Sequence, residues 1–506
     1  MKIKILNDEY WYGGAGVSGH HMPLDKGSEF HLDYINNIFP GIGSDAEAGF
    51  FLSNKGRYIW CDDAFKIDFE NGEITVEGEH EIIFSEGHET LRGAYMDAMN
   101  KHFKFNGEIP AVEFFTHPQY NTWIELLRDE NQEDVLKYAH NIVDNGMPKG
   151  ILMIDGGWQR DFGVYEFDKE IFPDPKAMLD ELHGLGFKVM VWISPIIASA
   201  GKRYRYLKSK DYLIKDKNGN PAVREWWSGY SCMFDFSNPE ACEWFDGEIK
   251  NLMALGVDGI KMDAGSPCFY TDDDITYGNV TGHGQTNCLC KFTAQYPYNE
   301  NHGTWNAGGT AVVSRLQDKA HKWEGGLDLL LPDTLTQGIL GYAYSCPDMI
   351  GGGEETSFYN DAKLDHELFI RWAEASALLP MMQFSAAPWR VLTEEEFKLV
   401  NSYAELRVKF GEYICNCAKE TSVKGEPIAR YMEYQYPNHG YEKITDQFMI
   451  GEDLLVAPVL TKGTTSREVF IPDGEWEADD GTRYAGPKKI TVDAPLERLP
   501  YFTKVK

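Results

Sequence analysis

No stretch of about 18 apolar residues occurs in the chain, so no helix is expected to be long and apolar enough to cross a bilayer. Positive charge is scarce as well: 48 Lys and Arg stand against 79 Asp and Glu, a formal net charge of −31. Such a balance argues against nucleic acid, an anionic membrane surface or strongly acidic polymers as partners, and favours a neutral one. The nine cysteines form no framework of repeated spacing. Cys288/Cys290 and Cys415/Cys417 are too close for a zinc knuckle, and no matching pair of His or Cys follows. Reduced, mostly buried thiols are expected. Asp272-Asp273-Asp274 and His20-His21 lack useful ligand spacing and read as solvated surface or turn residues, so neither a metal nor another cofactor is implied. The opening residues turn acidic at Asp8-Glu9 without the apolar region of a signal peptide, which points to the cytoplasm. There is no internal repeat and no low-complexity linker.

What is present is an ordinary globular composition, 43% apolar and 25% charged, in a chain of 506 residues. That length exceeds what one hydrophobic core organises, and a large domain with smaller attached ones is expected. Residues 1–108 read as short alternating segments, Gly56–Trp60, Phe65–Phe69, Glu73–Glu77 and Glu81–Phe84, broken by turn residues: an N-terminal β-sandwich. From 109 the texture changes. Apolar strand-like runs (Ala111–Phe115, Gly150–Ile154, Lys188–Ile193, Gly256–Met262, Ala311–Arg315, Tyr342–Cys346) alternate with amphipathic stretches such as Asn131–Val143 and Pro175–His183. The repeated order of strand then helix predicts an α/β fold with a parallel sheet, and the length favours a closed (β/α)8 barrel over 109–425, finished by a helix from Thr393 to Glu420. Residues 426–506, with Gln447–Ile450, Leu454–Pro458 and Arg467–Pro472 between Pro and Gly turns, read as a C-terminal β-sandwich.

Asp263 and Asp318 each follow an apolar strand-like run, and the C-terminal strand ends of a barrel converge on one pocket. Two facing carboxylates are the minimum equipment for cleaving a glycosidic bond, one attacking or stabilising the sugar carbon and the other protonating the departing oxygen. The 13% aromatic share suits the C–H faces of sugars, although most rings belong to the core. Lys261 has the strand parity of Asp263 and could hold that carboxylate ionised. The alternative for Asp263 is a helix cap or a pair with a nearby lysine, against which its barrel-end position favours function. Asp328 and Asp333 compete with Asp318 on spacing; Asp333, after Pro332, reads as an N-terminal helix cap and Asp328 as a first-turn residue. Arg315 is a donor to substrate hydroxyls or to a carboxylate, or else a surface ion pair of little worth.

At this point the ordered motifs carry a resemblance. Tyr10-Trp-Tyr-Gly-Gly14, Asp155-Gly-Gly-Trp158, Phe167–Pro175, Gly184–Trp192, Lys261-Met-Asp263-Ala-Gly, Arg315-Leu-Gln-Asp318-Lys, Pro347-Asp-Met-Ile-Gly-Gly352, Arg371-Trp372, Gln383–Trp389 and Gln447–Pro458 cover nearly the whole chain. Together they resemble glycoside hydrolase family 31, and within it the galactose-cleaving branch that contains the myogenesis-regulating glycosidase. The resemblance implies a metal-free, retaining α-glycosidase with a barrel between β domains. It makes Asp263 the nucleophile and Asp318, upstream of Trp323, the acid/base. It further implies that Asp155 binds hydroxyls of the sugar being cleaved, that Trp192 and Trp226 line that sugar beside Trp158, Lys261 and Arg315, and that Asp348 braces the pocket.

One departure bears on the substrate. Typical α-glucosidases of the family carry Arg and then His after the Arg-Trp pair, where this chain has Gln383-Phe384-Ser385. That version is similar to the galactose-cleaving branch, so an α-galactoside or small α-linked oligosaccharide is the expected partner. An α-glucosidase, an α-N-acetylgalactosaminidase, a sulfoquinovosidase and a non-catalytic sugar-binding homologue are the alternatives. A double displacement requires carboxyls roughly 5 to 5.5 Å apart, with Asp263 ionised and Asp318 holding a proton. Tyr270, Tyr277, Tyr296 and Tyr298 are expected to shape the aglycone side. The oligomeric state is left open, a homo-oligomer included.

Overall fold

The computed structural model describes residues 1–36, 45–359 and 363–505. At its centre eight parallel strands follow one another round a barrel: β1 (Gln119–Asn121), β2 (Ile151–Ile154), β3 (Lys188–Ile193), β4 (Gly259–Met262), β5 (Asn299–Asn301), β6 (Ser314–Arg315), β7 (Ser345–Cys346) and β8 (Gln383–Phe384), with β8 beside β1. The circuit closes where the Ile350 N–H, just past β7, donates to the Gln383 carbonyl at 2.8 Å. Helices cover the outside, among them α1 (Gln132–Asp144), α2 (Pro175–Leu185), α3 (Pro239–Leu255), α4 (Gly282–Thr293), α5 (Asp328–Ile339), α6 (His366–Ser376) and α7 (Glu394–Lys424). Their ends are written in the sequence. Asn131, Asp174 and Asn238 cap α1, α2 and α3 through their side chains, and Pro175 and Pro239 open α2 and α3. Thr393 and Glu396 form a capping box at α7, which stops at the left-handed Gly425.

Three barrel strands, β1, β5 and β8, escape an apolar-run criterion because the barrel interior is polar. Gln383 donates to Glu300 at 3.0 Å and to Gln119 at 3.2 Å, and Lys261 donates to Asp155 at 2.7 Å, all of these side chains being buried. Hydrogen bonding offsets the desolvation of such groups, so β1, β5 and β8 need no aliphatic residue facing inward. The run Ala111–Phe115, by contrast, is not a strand. It ends in a helical turn, Glu113–Thr116, that buries Phe114 and Phe115, and the first barrel strand comes later, at Gln119.

The N-terminal region is two four-stranded antiparallel sheets packed face to face. Phe51 of one meets Phe30 and Phe69 of the other at ring-centroid distances of 6.5 and 5.8 Å, the aromatic filling of a sandwich. Its strand Glu47–Ser53 is stitched to the barrel: Glu47 N–H donates to the Thr304 carbonyl at 3.1 Å, and Asn306 N–H to the Glu47 carbonyl at 3.2 Å. The C-terminal region places its strands in one six-stranded antiparallel sheet with its own core around Met449, Leu455, Trp476 and Phe502. Six of the nine cysteines are buried.

Candidate active site

The C-terminal ends of the barrel strands bring polar residues to one face. Asp155 directly follows β2, Asp263 follows β4, His302 follows β5, Asp318 stands three residues past β6, and Asp348 two past β7. Asp263 is fixed by its backbone first: its N–H donates to the Ile193 carbonyl of β3 at 2.9 Å. Its Oδ2 accepts from Trp192 Nε1 at 2.8 Å, its Oδ1 accepts from Ala264 N–H at 2.8 Å, and His302 Nδ1 lies 3.4 Å from that Oδ1. Ala264 takes a left-handed φ of 58°, costing an alanine about 1–2 kcal/mol, in a site that holds several such constraints. Burial pushes the Asp263 carboxyl up, but His302, then Lys261, then the Trp192 and Ala264 N–H groups outweigh it and leave it below the usual range for aspartate.

Lys261 does not pair directly with Asp263. Its ammonium is taken by Asp155 Oδ2 at 2.7 Å, both side chains being 5% exposed or less, and it acts on Asp263 only through its charge. Asp155 is held further by its own backbone: its N–H donates to Thr122 Oγ1 at 2.9 Å.

On the far side, Arg315 Nη2 forks between Asp318 Oδ1 at 2.5 Å and Asp348 Oδ1 at 3.1 Å. The guanidinium is buried, and despite that burial the charges of Asp318, Asp348 and Glu300 hold it firmly protonated. Asp348 is fully buried and accepts backbone N–H groups of Lys319 at 2.6 Å, Met349 at 2.7 Å and Gly353 at 3.0 Å. Burial, opposed by Arg315, raises its carboxyl to about 7. Asp318 is the open member of the group, its side chain 38% exposed. A Cβ at Gly353 would lie 2.4 Å from Asp318 Oδ1 and 2.7 Å from Asp348 Oδ1, so the segment after β7 approaches both carboxylates only because that residue is glycine.

One wall is aromatic. Trp192, Trp226 and Tyr270 share a small buried cluster with Ile196, Met233 and Ala264. Phe162 links Trp192 and Trp226, at 6.0 and 4.6 Å between ring centroids, and Trp226 leads at 4.7 Å to Trp227, which is 54% exposed. Trp158 lies behind this wall: it is fully buried, donates to the Trp192 carbonyl at 2.7 Å and packs on Phe167. Gln383 is likewise fully buried, with its amide committed to Glu300 and Gln119 beneath the carboxylates. Both residues support the site from below and present no free surface to a sugar.

Other expectations are redrawn. Asp333 is not a helix cap. It lies within α5, 1% exposed, and pairs with Lys319 Nζ at 2.8 Å, because the lysine beside Asp318 turns inward and needs a buried counter-charge. Asp328 does open α5. Tyr270 stands in the aromatic cluster and Tyr277 is 70% exposed, but Tyr296 and Tyr298 precede β5 and so lie at the opposite end of the barrel, with the Tyr296 hydroxyl donating to Asp246 of α3. Asp274 is taken by Arg224, and His20 faces Asp333 at 3.6 Å. Among the described residues no group of three His, Cys, Asp or Glu side chains is arranged to hold a metal ion.

Sequence reasoning missed Glu300, His302 and Asp45. Glu300 sits in a strand without an apolar run. His302 is a lone histidine after that strand, and Asp45 belongs to the N-terminal sandwich, so no local pattern marks either. Asp45 Oδ2 lies 3.2 Å from His302 Nε2. Burial raises the Asp45 carboxyl to about 6, with His302 and Arg315 opposing and the charges of Asp318 and Asp263 adding to it, which places all of these groups in one charge cluster.

Residues 118–416 match the profile of the glycosyl hydrolases family 31 TIM-barrel domain, and residues 425–505 that of the glycosyl hydrolase family 31 C-terminal domain. The chain is 28% identical to the myogenesis-regulating glycosidase of Mus musculus, over 98% of its own length and 74% of that protein. It is 24% identical to alpha-xylosidase XylQ of Lactiplantibacillus pentosus, over 87% of its length and 60% of that protein. In structure it is similar to the GH31 dextranase FjDex31A of Flavobacterium johnsoniae complexed with glucose, with a TM-score of 0.86 at 22% identity, covering all of this chain and 66% of that one. A GH31 alpha-xylosidase from a soil metagenome complexed with xylose gives a TM-score of 0.80 at 21% identity over 99% of this chain and 79% of the other. The chain thus spans under two thirds of XylQ and of the dextranase.

Proposed function

This chain belongs to glycosyl hydrolase family 31, and from that premise we propose that it is a retaining α-glycoside hydrolase in which Asp263 is the nucleophile and Asp318 the acid/base. The observation that carries the reading is the asymmetry of the two carboxylates. Asp263 is held ionised by His302, Lys261 and two N–H donors, whereas Asp318 is the exposed one, as suits a group that must meet both the leaving group and water. Ionised Asp263 attacks the anomeric carbon while the Asp318 carboxyl gives its proton to the glycosidic oxygen. Ester formation removes the charge on Asp263, and Asp318 then takes a proton from the water that cleaves the glycosyl-aspartate. The sugar lies against Trp192 and Trp226, with hydroxyls toward Asp155 and Arg315. Small α-linked oligosaccharides are the substrates, in keeping with relatives solved with glucose and xylose.

For the glycone we favour galactose, on the Gln383-Phe384-Ser385 segment where α-glucosidases of the family have Arg and His. The second reading is a glucoside or xyloside, favoured by the name of the XylQ relative. A panel of nitrophenyl α-glycosides separates these. The wild-type chain is expected to turn over the α-galactoside fastest, and a 2-fluoro analogue of the preferred sugar to label Asp263 in a peptide found by mass spectrometry. Asp263→Ala should abolish turnover, and Asp318→Ala should spare substrates with activated leaving groups. Equal loss on activated and natural substrates would remove Asp318 from the acid/base role, and a label on another residue would remove Asp263.

A further inference from the structure

His302 and Asp45 take no part in the two displacements just described, yet they are built around the nucleophile. His302 is fixed by its own N–H, which donates to the Met262 carbonyl at the end of β4 at 3.0 Å. Its ring stands between two carboxylates, Nδ1 at 3.4 Å from Asp263 Oδ1 and Nε2 at 3.2 Å from Asp45 Oδ2. Asp45 is 1% exposed, and neither its Oδ2 nor His302 Nε2 makes a hydrogen bond among the described residues, so their 3.2 Å approach is an ion-pair contact. A buried carboxylate oxygen without a hydrogen bond is costly, and the imidazole beside it is the first of the two cations that offset that cost, Arg315 being the other.

The apposition is held from both sides. Beyond Asp45, the Glu47 N–H reaches the Thr304 carbonyl, the Asn306 N–H reaches the Glu47 carbonyl, and Gly49 N–H donates to Asn306 Oδ1 at 2.8 Å. Ala46, next to Asp45, adopts a left-handed φ of 50°, as Ala264 does next to Asp263. A non-glycine residue keeps that backbone only where its surroundings over-determine it.

Given the glycosidase reading, we propose that His302 is a positioning residue which Asp45 of the N-terminal sandwich holds in place, and which in turn orients Asp263 and supports its charge. The N-terminal sandwich thereby completes the nucleophile's surroundings. The other charged groups facing this trio are Lys261 on β4, and Arg315 and Asp318 at and after β6.

The test is a double-mutant cycle read as pH profiles of kcat/KM on a nitrophenyl glycoside, with thermal unfolding to confirm that each variant is folded. Asp45→Asn in the wild-type background should lower kcat roughly 10- to 100-fold with KM little changed, because a misplaced reacting group costs rate and not binding. It should also move the acid limb upward, since support for the Asp263 charge weakens. His302→Asn keeps an amide near the position of Nδ1, retaining contact with Asp263 while dropping Asp45, and in that background Asp45→Asn should do nothing further. Equal effects of Asp45→Asn in both backgrounds, or an unmoved acid limb in both variants, would overturn the inference. A wild-type chain inactive on every α-glycoside would overturn the glycosidase reading with it, whereas an active wild type with an inert Asp45→Asn overturns this inference alone.

Discussion

Around Asp263 the arrangement of single atoms decides the charge. One carboxylate oxygen is bound by the Trp192 indole N–H, the other by the Ala264 N–H, and the imidazole of His302 stands beside the latter. Hydrogen bonds to a charged group contribute about 1.5–3 kcal/mol, so losing one of the two, with the imidazole still in place, weakens the anion without removing it. Trp192→Phe keeps an aromatic ring against Phe162 while removing the donor together with part of the ring surface. The expected result is a fall in kcat/KM of roughly tenfold, about 1.4 kcal/mol, with the acid limb of the profile shifted toward neutrality. Because the folded-state carboxyl is depressed, Asp263 stays ionised throughout the ordinary aspartate range, and the nucleophile role proposed for it is lost only when pH falls below that range. A profile identical to that of the wild type would show that the indole N–H contributes packing alone.

At the scale of elements, the loop carrying Asp318 is anchored from behind. Lys319, next in sequence, sends its ammonium to Asp333 inside α5, and Asp333 also accepts the backbone N–H of His20 from the N-terminal region at 3.2 Å. Asp333→Ala should cost about 3–5 kcal/mol, the price of leaving a buried lysine uncompensated, and should lower activity by releasing the Asp318 loop. Chemical denaturation and kcat/KM on one preparation check both parts; unaltered stability would mean that Lys319 escapes to solvent. This pair also shows where the sequence stops being legible. Pro332 before an aspartate reads as a helix start, and nothing local announces that the helix has begun at Asp328 or that a lysine fourteen positions upstream folds back onto it. The helical stretches beginning at Asn131, Pro175 and Thr393 were legible because their periodicity is local, and β3 was legible as Lys188–Ile193 because its inward and outward faces are both apolar. Strands β5 and β8 were not, since their partners, Arg315, Gln119 and Cys346, come from other strands of the barrel. The candidate site divides the same way: Asp263 and Asp318 follow recognisable runs, while Asp45 meets His302 only through tertiary structure.

The molecule as a whole carries −31 formal charges at pH 7 and buries several carboxyls that resist ionisation. Burial raises Asp45 to about 6 and Asp348, Glu374 and Glu433 each to about 7. Glu433 illustrates the cause, since its Oε2 is buried without a hydrogen-bond partner. In each case the folded chain binds a proton between about pH 4 and 7 that an unfolded carboxyl has already released, so stability falls as pH rises through that window. Mutual repulsion among the surplus surface carboxylates acts in the same direction. Opposing this on the acid side, Asp33 and Asp97 lie below the usual range despite partial burial, through Lys66 and Lys101, and the stability they contribute disappears as pH falls through their depressed values. The melting temperature is therefore expected to peak near pH 5, to decline toward pH 8 and to collapse below about pH 4. Added salt at pH 8 should recover part of the loss by screening exposed charges, over a Debye length of about 10 Å at 0.1 M. Glu433→Gln removes one raised carboxyl whose neighbouring charges, Glu442 and Lys55, are not those of the candidate site, and should flatten the decline between pH 5 and 7 while leaving turnover intact. A melting temperature that climbs steadily from pH 5 to 8 would contradict the protonated state of these buried acids.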